Sequence, residues 1–131
     1  MSPLRTFLFA NVLALVAATG LAWLAVPAQA RTDDTYTAIA YSEKTGRYGY
    51  SHDYSSSDEA KQRALAECKA DDAKVLVCVG NGWCALALSD GSEYGFAYGG
   101  SESIARRIAL QECRDRGGKN AHIVVSVYSG D

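Results

Sequence analysis

The chain states one pattern twice, and that duplication limits what it can fold into more than any other feature. Tyr48-Gly49-Tyr50-Ser51-His52-Asp53-Tyr54 runs through a serine cluster into Glu59-Ala60-Lys61-Gln62-Arg63-Ala64-Leu65-Ala66-Glu67-Cys68. Tyr94-Gly95-Phe96-Ala97-Tyr98-Gly99-Gly100 runs in the same way into Ile104-Ala105-Arg106-Arg107-Ile108-Ala109-Leu110-Gln111-Glu112-Cys113. The repeat distance is 46 residues at the Tyr-Gly pair and 45 at the cysteine. Self-similarity at a fixed period marks each copy as one supersecondary unit.

Each unit reads as strand, strand, helix, strand. Tyr36 to Tyr41 is rich in aromatic and β-branched residues, Lys44-Thr45-Gly46 is a turn, and Tyr48 to His52 returns as the second strand. Gly49 within that strand points to close packing or a bulge. Ser56 and Glu59 have capping-box spacing, so a helix begins there, with Ala60, Ala64, Leu65 and Cys68 along one side. Val75 to Val79 is a short buried strand, and Asn81-Gly82 predicts a tight hairpin. In the second copy the strands are Trp83 to Leu88 and Tyr94 to Tyr98. Its helix carries Ala105, Ala109, Leu110 and Cys113 and stops at Gly117-Gly118, and the last strand is His122 to Val127. Ile104 and Ile108 replace Glu59 and Arg63, which predicts a second helix more buried than the first. Neither copy can cover its own apolar face, so repeats 35–80 and 83–128 should pack about a pseudo-two-fold axis. The expected class is α+β: one antiparallel sheet with both helices segregated to one side or end.

Arg5, the apolar run Phe7 to Val26 and Ala28-Gln29-Ala30 read as a signal peptide over residues 1–30. A disordered leader, 31–34, and a single domain, 35–131, would remain, without a membrane anchor and exported to the periplasm or beyond. The net charge of −2 and the scattered basic residues argue against a nucleic-acid partner. Four cysteines (Cys68, Cys78, Cys84, Cys113) in a short exported chain read as two disulfides, with three pairings open. Zinc is disfavoured, since none of the cysteine gaps has Cys-x-x-Cys spacing.

Tyr36-x-Ala38-Ile39-Ala40-Tyr41-Ser42, Tyr48-Gly49, Ala64-Leu65-x-x-Cys68, Asn81-Gly82-x-Cys84-Ala85 and Ala109-Leu110-x-x-Cys113 resemble the domain-of-unknown-function 4189 family of small exported bacterial proteins. The likeness spans nearly all of the chain after the leader, and its motifs are mostly structural. The resemblance implies either a secreted effector acting on host cells, as for mycobacterial members, or a periplasmic domain serving in competition between bacteria. Family members place cysteines where this chain has Ala73, Ala121 and a cysteine-free tail. With those local partners missing, the family's pairing does not carry over, and the departure from it leaves Cys68–Cys113 and Cys78–Cys84 as the expected pairs.

No residue reads as catalytic, no metal ligand set is present, and no cofactor is implied. His52, beside Asp53 and three serines, reads as a strand-end residue ahead of a helix cap, because sequence neighbours do not make a triad. His122 reads as an edge residue. Asp33-Asp34 and Asp71-Asp72 lack the spaced ligands of a calcium loop. The aromatics stand out: Tyr41, Tyr48, Tyr50, Tyr54, Trp83, Tyr94 and Tyr98 crowd the hairpins. Tyrosine and tryptophan suit binding surfaces because they combine rigid area with a polar tip. The reading is a non-enzymatic domain that binds another protein, in its concrete form a periplasmic immunity or inhibitor protein. The alternatives are a secreted effector acting on a host cell by binding, and a small hydrolase centred on His52.

Overall fold

Alternation along the two central strands decides the architecture. In Thr37-Ala38-Ile39-Ala40-Tyr41 every residue is buried, and small side chains alternate with large ones. A strand buried on both faces lies between two layers, and the small face must meet something that comes close. The structure, a computed structural model, describes residues 34–130. Its strands are β1 (Tyr36–Tyr41), β2 (Tyr48–Tyr54), β3 (Lys74–Gly80), β4 (Gly82–Leu88), β5 (Tyr94–Gly99) and β6 (His122–Ser129). Its helices are α1 (Ser57–Cys68) and α2 (Glu102–Asp115). The signal peptide read over 1–30, and most of the leader read after it, lie outside the described residues. Asp34, counted with that leader, accepts a hydrogen bond from Asn81 Nδ2 at 2.8 Å.

The fold is α+β, but the expected single sheet is two. Antiparallel strands pair in the order β2-β1-β3 in one sheet and β5-β4-β6 in the other. Ile39, Tyr41 and Val77 of the first sheet pack against Cys84, Leu86, Val125 and Val127 of the second, forming a central core. The opposite faces carry alanine. Ala38 and Ala40 meet Ala60, Ala64 and Cys68 of α1, and Ala85, Ala87 and Ala97 meet Ala105, Ala109 and Cys113 of α2. The layers therefore run helix, sheet, sheet, helix, and the helices sit on opposite outer faces rather than on one side. The large residues of each central strand meet the other sheet, and the small ones let a helix lie close.

The glycine after each tyrosine sets that closeness. A Cβ on Gly49 would overlap Ala64 O and Cys68 N, and one on Gly95 would overlap Ala109 O and Cys113 N. The helix backbone thus rests on the strand at equivalent points of both repeats. The caps are duplicated too: Ser56 Oγ accepts from Glu59 N at 3.2 Å, and Ser101 Oγ from Ile104 N at 3.3 Å. The capping box is only half formed, because the Glu59 carboxylate takes the Ser55 hydroxyl instead of reaching back to Ser56. Gly117, at φ 89°, ends α2 with Gly118 N bonded to Cys113 O, as expected of a C-terminal glycine.

Asn81-Gly82 is not a hairpin. Asn81 does adopt positive φ (50°), yet the chain there crosses from one sheet to the other. Its N–H donates to Thr35 O and its Oδ1 accepts from Thr35 N at 3.1 Å, which fixes the crossing against the start of β1.

The expected disulfides are absent: Cys68, Cys78, Cys84 and Cys113 are all free thiols. The layering explains it. Cys68 and Cys113 each lie between a helix and its own sheet, with both sheets separating them. Cys78 points towards α1, its Sγ 4.0 Å from Ser57 O, whereas Cys84 points into the central core beside Thr37 Oγ1. Burial pushes the Cys84 thiol up to about 12. The second helix is not the more buried one, since Ile104 and Ile108 are 42% and 38% exposed. The alanine stripe fixes which side of α2 faces the sheet, and both isoleucines fall off that side.

Candidate binding surface

Among the described residues strand β2 borders the first sheet and pairs only with β1. Gly49 and Ser51 face α1, where Ser51 Oγ donates to Ala60 O at 2.7 Å. Tyr48, Tyr50 and His52 take the other face and are exposed. Register with β1 then shifts: Ala38 lies opposite Ser51 but Tyr36 lies opposite Tyr54, so His52 and Asp53 together oppose Thr37. This is a β-bulge, with one extra residue in the strand. In the second repeat β4 and β5 match residue for residue from Trp83↔Gly99 to Leu88↔Tyr94. The one-residue change in repeat distance is this insertion. By contrast, the bulges at Leu76 in β3 and Val124 in β6 occur in both repeats.

Asp53 holds the bulge at φ 61°, a left-handed conformation uncommon outside glycine. Its N–H donates to Ser129 Oγ at 3.0 Å, tying β2 to β6 of the other sheet. Its Oδ2 lies 2.9 Å from His52 Nδ1. That His52 hydrogen bond, helped by the Gly130 N–H and the Ser129 hydroxyl, holds the Asp53 carboxyl below the usual aspartate value.

Two open grooves flank the β2 edge. One, about 530 Å³, runs towards α1 and is lined by Tyr48, Tyr50, His52, Tyr54, Arg63 and Glu67, the last two ion-paired at 2.7 Å. The other, about 440 Å³, runs across β6 and includes Trp83 and Tyr128, whose ring centres are 5.2 Å apart. Tyr50 and His52 border both grooves, so β2 is a ridge with aromatic walls on either side.

Of the seven aromatics read as a binding set, the fold brings Tyr48, Tyr50, Tyr54 and Trp83 together here. Tyr41 is buried and packs on Tyr94, ring centres 4.6 Å apart. The Tyr94 hydroxyl donates to Glu43 Oε1, and the Arg116 guanidinium lies 5.0 Å from its ring, so this pair clamps the two repeats. Tyr98 lies on β5, at the far edge of the other sheet, 66% exposed. Sequence reading missed Tyr128, Arg63 and Glu67, and it missed the bulge although the offset change announced it.

The His52, Asp53 and Ser129 chain does not have the order nucleophilic catalysis needs. The carboxylate stands between the serine and the histidine, so the serine hydroxyl faces the acid and not the base. Ser129 is also fully buried. The thiols offer no activated nucleophile either, because burial raises all four. Asp72 commits its carboxylate to the Ser42 hydroxyl and Lys44 N–H, pinning the β1–β2 turn. His122 Nδ1 is 2.9 Å from Asn120 O at an exposed strand start. Among the described residues there is no cluster of side chains able to hold a metal ion, and no helix long and apolar enough to cross a membrane.

Fold and site together define a small duplicated α+β domain with an aromatic sheet edge and no assembled catalytic group among the described residues. The chain belongs to the family described as Domain of unknown function (DUF4189), whose model matches residues 36–127. No curated protein and no solved structure matches it.

Proposed function

We propose that this is an exported, non-enzymatic domain that binds another protein along the β2 edge. The observation that carries the reading is the bulge. Where two copies otherwise follow the same strand and helix plan, a residue has been added at the exposed aromatic edge, held in a costly backbone conformation. Bulges of this kind re-aim side chains and end strand pairing, and strained backbone gathers at functional sites. An edge strand between two grooves suits an extended segment of a partner, with main-chain hydrogen bonds for affinity and aromatic walls for selectivity. An immunity or inhibitor role in the periplasm is the concrete form, and it rests on family likeness alone.

A photo-crosslinking residue at Tyr50 tests this in cells that make the protein. One stoichiometric partner should be captured from position 50 and not from Lys44, which lies on the turn away from the grooves. Tyr50→Ala with Trp83→Ala should abolish the complex. Failure to capture any partner at Tyr50, in either periplasm or culture medium, would overturn the proposal, and capture only in medium would favour the host-directed effector. The His52–Asp53 contact favours one further reading, a hydrolase using His52 as base. Hydrolysis of an ester or glycoside panel that is lost in His52→Ala would establish it.

A further inference from the structure

We infer that the outer face of α2 is a second docking surface, which takes an acidic protein segment. Ser103, Arg107, Leu110 and Arg114 follow one another at helical spacing, and with Glu102, Arg106 and Gln111 they line an open groove of about 510 Å³ along the flank of α2, where Leu110 also packs on the alanines between helix and sheet. Arg106 is held by Glu102 at 3.1 Å, and Glu102 also accepts the Ser126 hydroxyl at 3.2 Å. Among the described residues neither Arg107 nor Arg114 has an ion-pair partner. The nearby acids are engaged elsewhere: Asp115 accepts from Gln111 Nε2 at 2.8 Å, and Glu112 faces Phe96 N on the β5 side. Two free guanidinium groups thus flank a half-buried leucine on a molecule whose net charge is −2.

The first repeat lacks this arrangement. Its equivalent positions are Asp58, Gln62, Leu65 and Lys69, where the charges cancel. The surface belongs to the second repeat alone.

The spacing specifies the partner. Arg107 and Arg114 are seven residues apart on the helix, about 10 Å along its axis. Two carboxylates match that distance, and share a face, when seven apart on a helix. Guanidinium grips each carboxylate by paired hydrogen bonds, and Leu110 meets an apolar residue between them. A lipid surface is disfavoured because the exposed Ile104 and Ile108 lie on the β5 flank of α2, beside Gly99 and Tyr98, and no apolar side chain projects between the arginines to insert. Nucleic acid would need a denser row of cations.

A labelled 15-residue helical peptide with two glutamates seven apart and a leucine midway is the probe, titrated against the protein by fluorescence anisotropy at low salt. Saturable binding is expected. Exposed Arg107→Glu with Arg114→Glu should keep the circular dichroism spectrum and weaken binding about tenfold or more. A peptide with lysines in place of the glutamates should bind this variant and not the parent, which separates charge matching from damage to the helix. Tyr50→Ala should bind the acidic peptide as the parent does, so the result stands apart from the β2 surface. Equal binding by parent and Arg107→Glu/Arg114→Glu proteins, or none by the parent, would overturn the inference. So would charge-dependent binding to phosphatidylglycerol vesicles without peptide binding.

Discussion

The two repeats agree inside and differ outside. Glycine, alanine and cysteine recur wherever helix meets sheet: Gly49 with Gly95, Ala60 and Ala64 with Ala105 and Ala109, Cys68 with Cys113. The outward positions have diverged. Glu59 and Arg63 on α1 correspond to Ile104 and Ile108 on α2, and the tyrosine and histidine ridge of β2 corresponds to Phe96 and Tyr98 on β5. Even paired tyrosines differ in use, since Tyr94 is clamped by Tyr41, Glu43 and Arg116 while Tyr48 stands open to solvent. The lesson is that the duplicated interior is set by contact distance, which leaves the exterior of each half free to take up its own partner.

The sharpest way to break this comparison is at the glycines. Gly49→Ala and Gly95→Ala should each cost about 3 kcal/mol or more, since a strand must part from helix backbone rather than from a movable side chain. Urea unfolding would measure both, and a large inequality would mean the two interiors are not equivalent. Next come the caps. Ser56→Ala and Ser101→Ala should each lose about 1 kcal/mol, again in parallel.

Acid sensitivity should separate the halves instead. The carboxyls of Asp53 (bonded to His52), Asp72 (to the Ser42 hydroxyl) and Glu43 (to Lys74) all lie below their usual values. All three are in the first repeat, and among the described residues the second has only Glu93, held by its own N–H and the Ser89 hydroxyl. A carboxyl lowered on folding adds stability above its unfolded value, and that stability is lost as pH falls through the folded value. Stability should therefore decline below about pH 4, and removing the three first-repeat carboxyls together (Glu43→Gln, Asp53→Asn, Asp72→Asn) should flatten the decline more than Glu93→Gln alone. The smallest expected effect is none at all: a reductant should leave the melting temperature unchanged, because all four thiols are free. A native disulfide would instead contribute about 2–4 kcal/mol.

Much of this fold was legible. All six strands, both helices, the N-cap at Ser56, the terminal glycine of α2 and the close approach at Gly49 follow from residue type and spacing. The second sheet was not inferred, although Ala38-Ile39-Ala40 carried the signal: a strand with both faces apolar, one small and one large, has a layer on each side. The cysteine pairs failed for the same reason, because which layer a thiol faces is unknowable until the layers are. Ile104 and Ile108 misled because apolar character does not orient a helix when a stripe of alanine already does. At the candidate surface the tyrosines were visible as a set, but only the layering divides Tyr41 and Tyr94 from Tyr48 and Tyr50. Tyr128 reaches the surface, and Ser129 the underside of the bulge, through the packing of the two sheets, which no local pattern encodes.

The backbone passes between the two sheets at one elbow, Asn81, latched by Thr35 and Asp34. Every helix and the strands beneath it lie wholly to one side of that elbow. If the latch opened, two molecules could trade halves and rebuild both interiors intact, giving an intertwined dimer with no new contact except at the hinge. Asn81 and its two partners thus bias each chain towards pairing its own halves, since the other contacts between halves are the same in either arrangement.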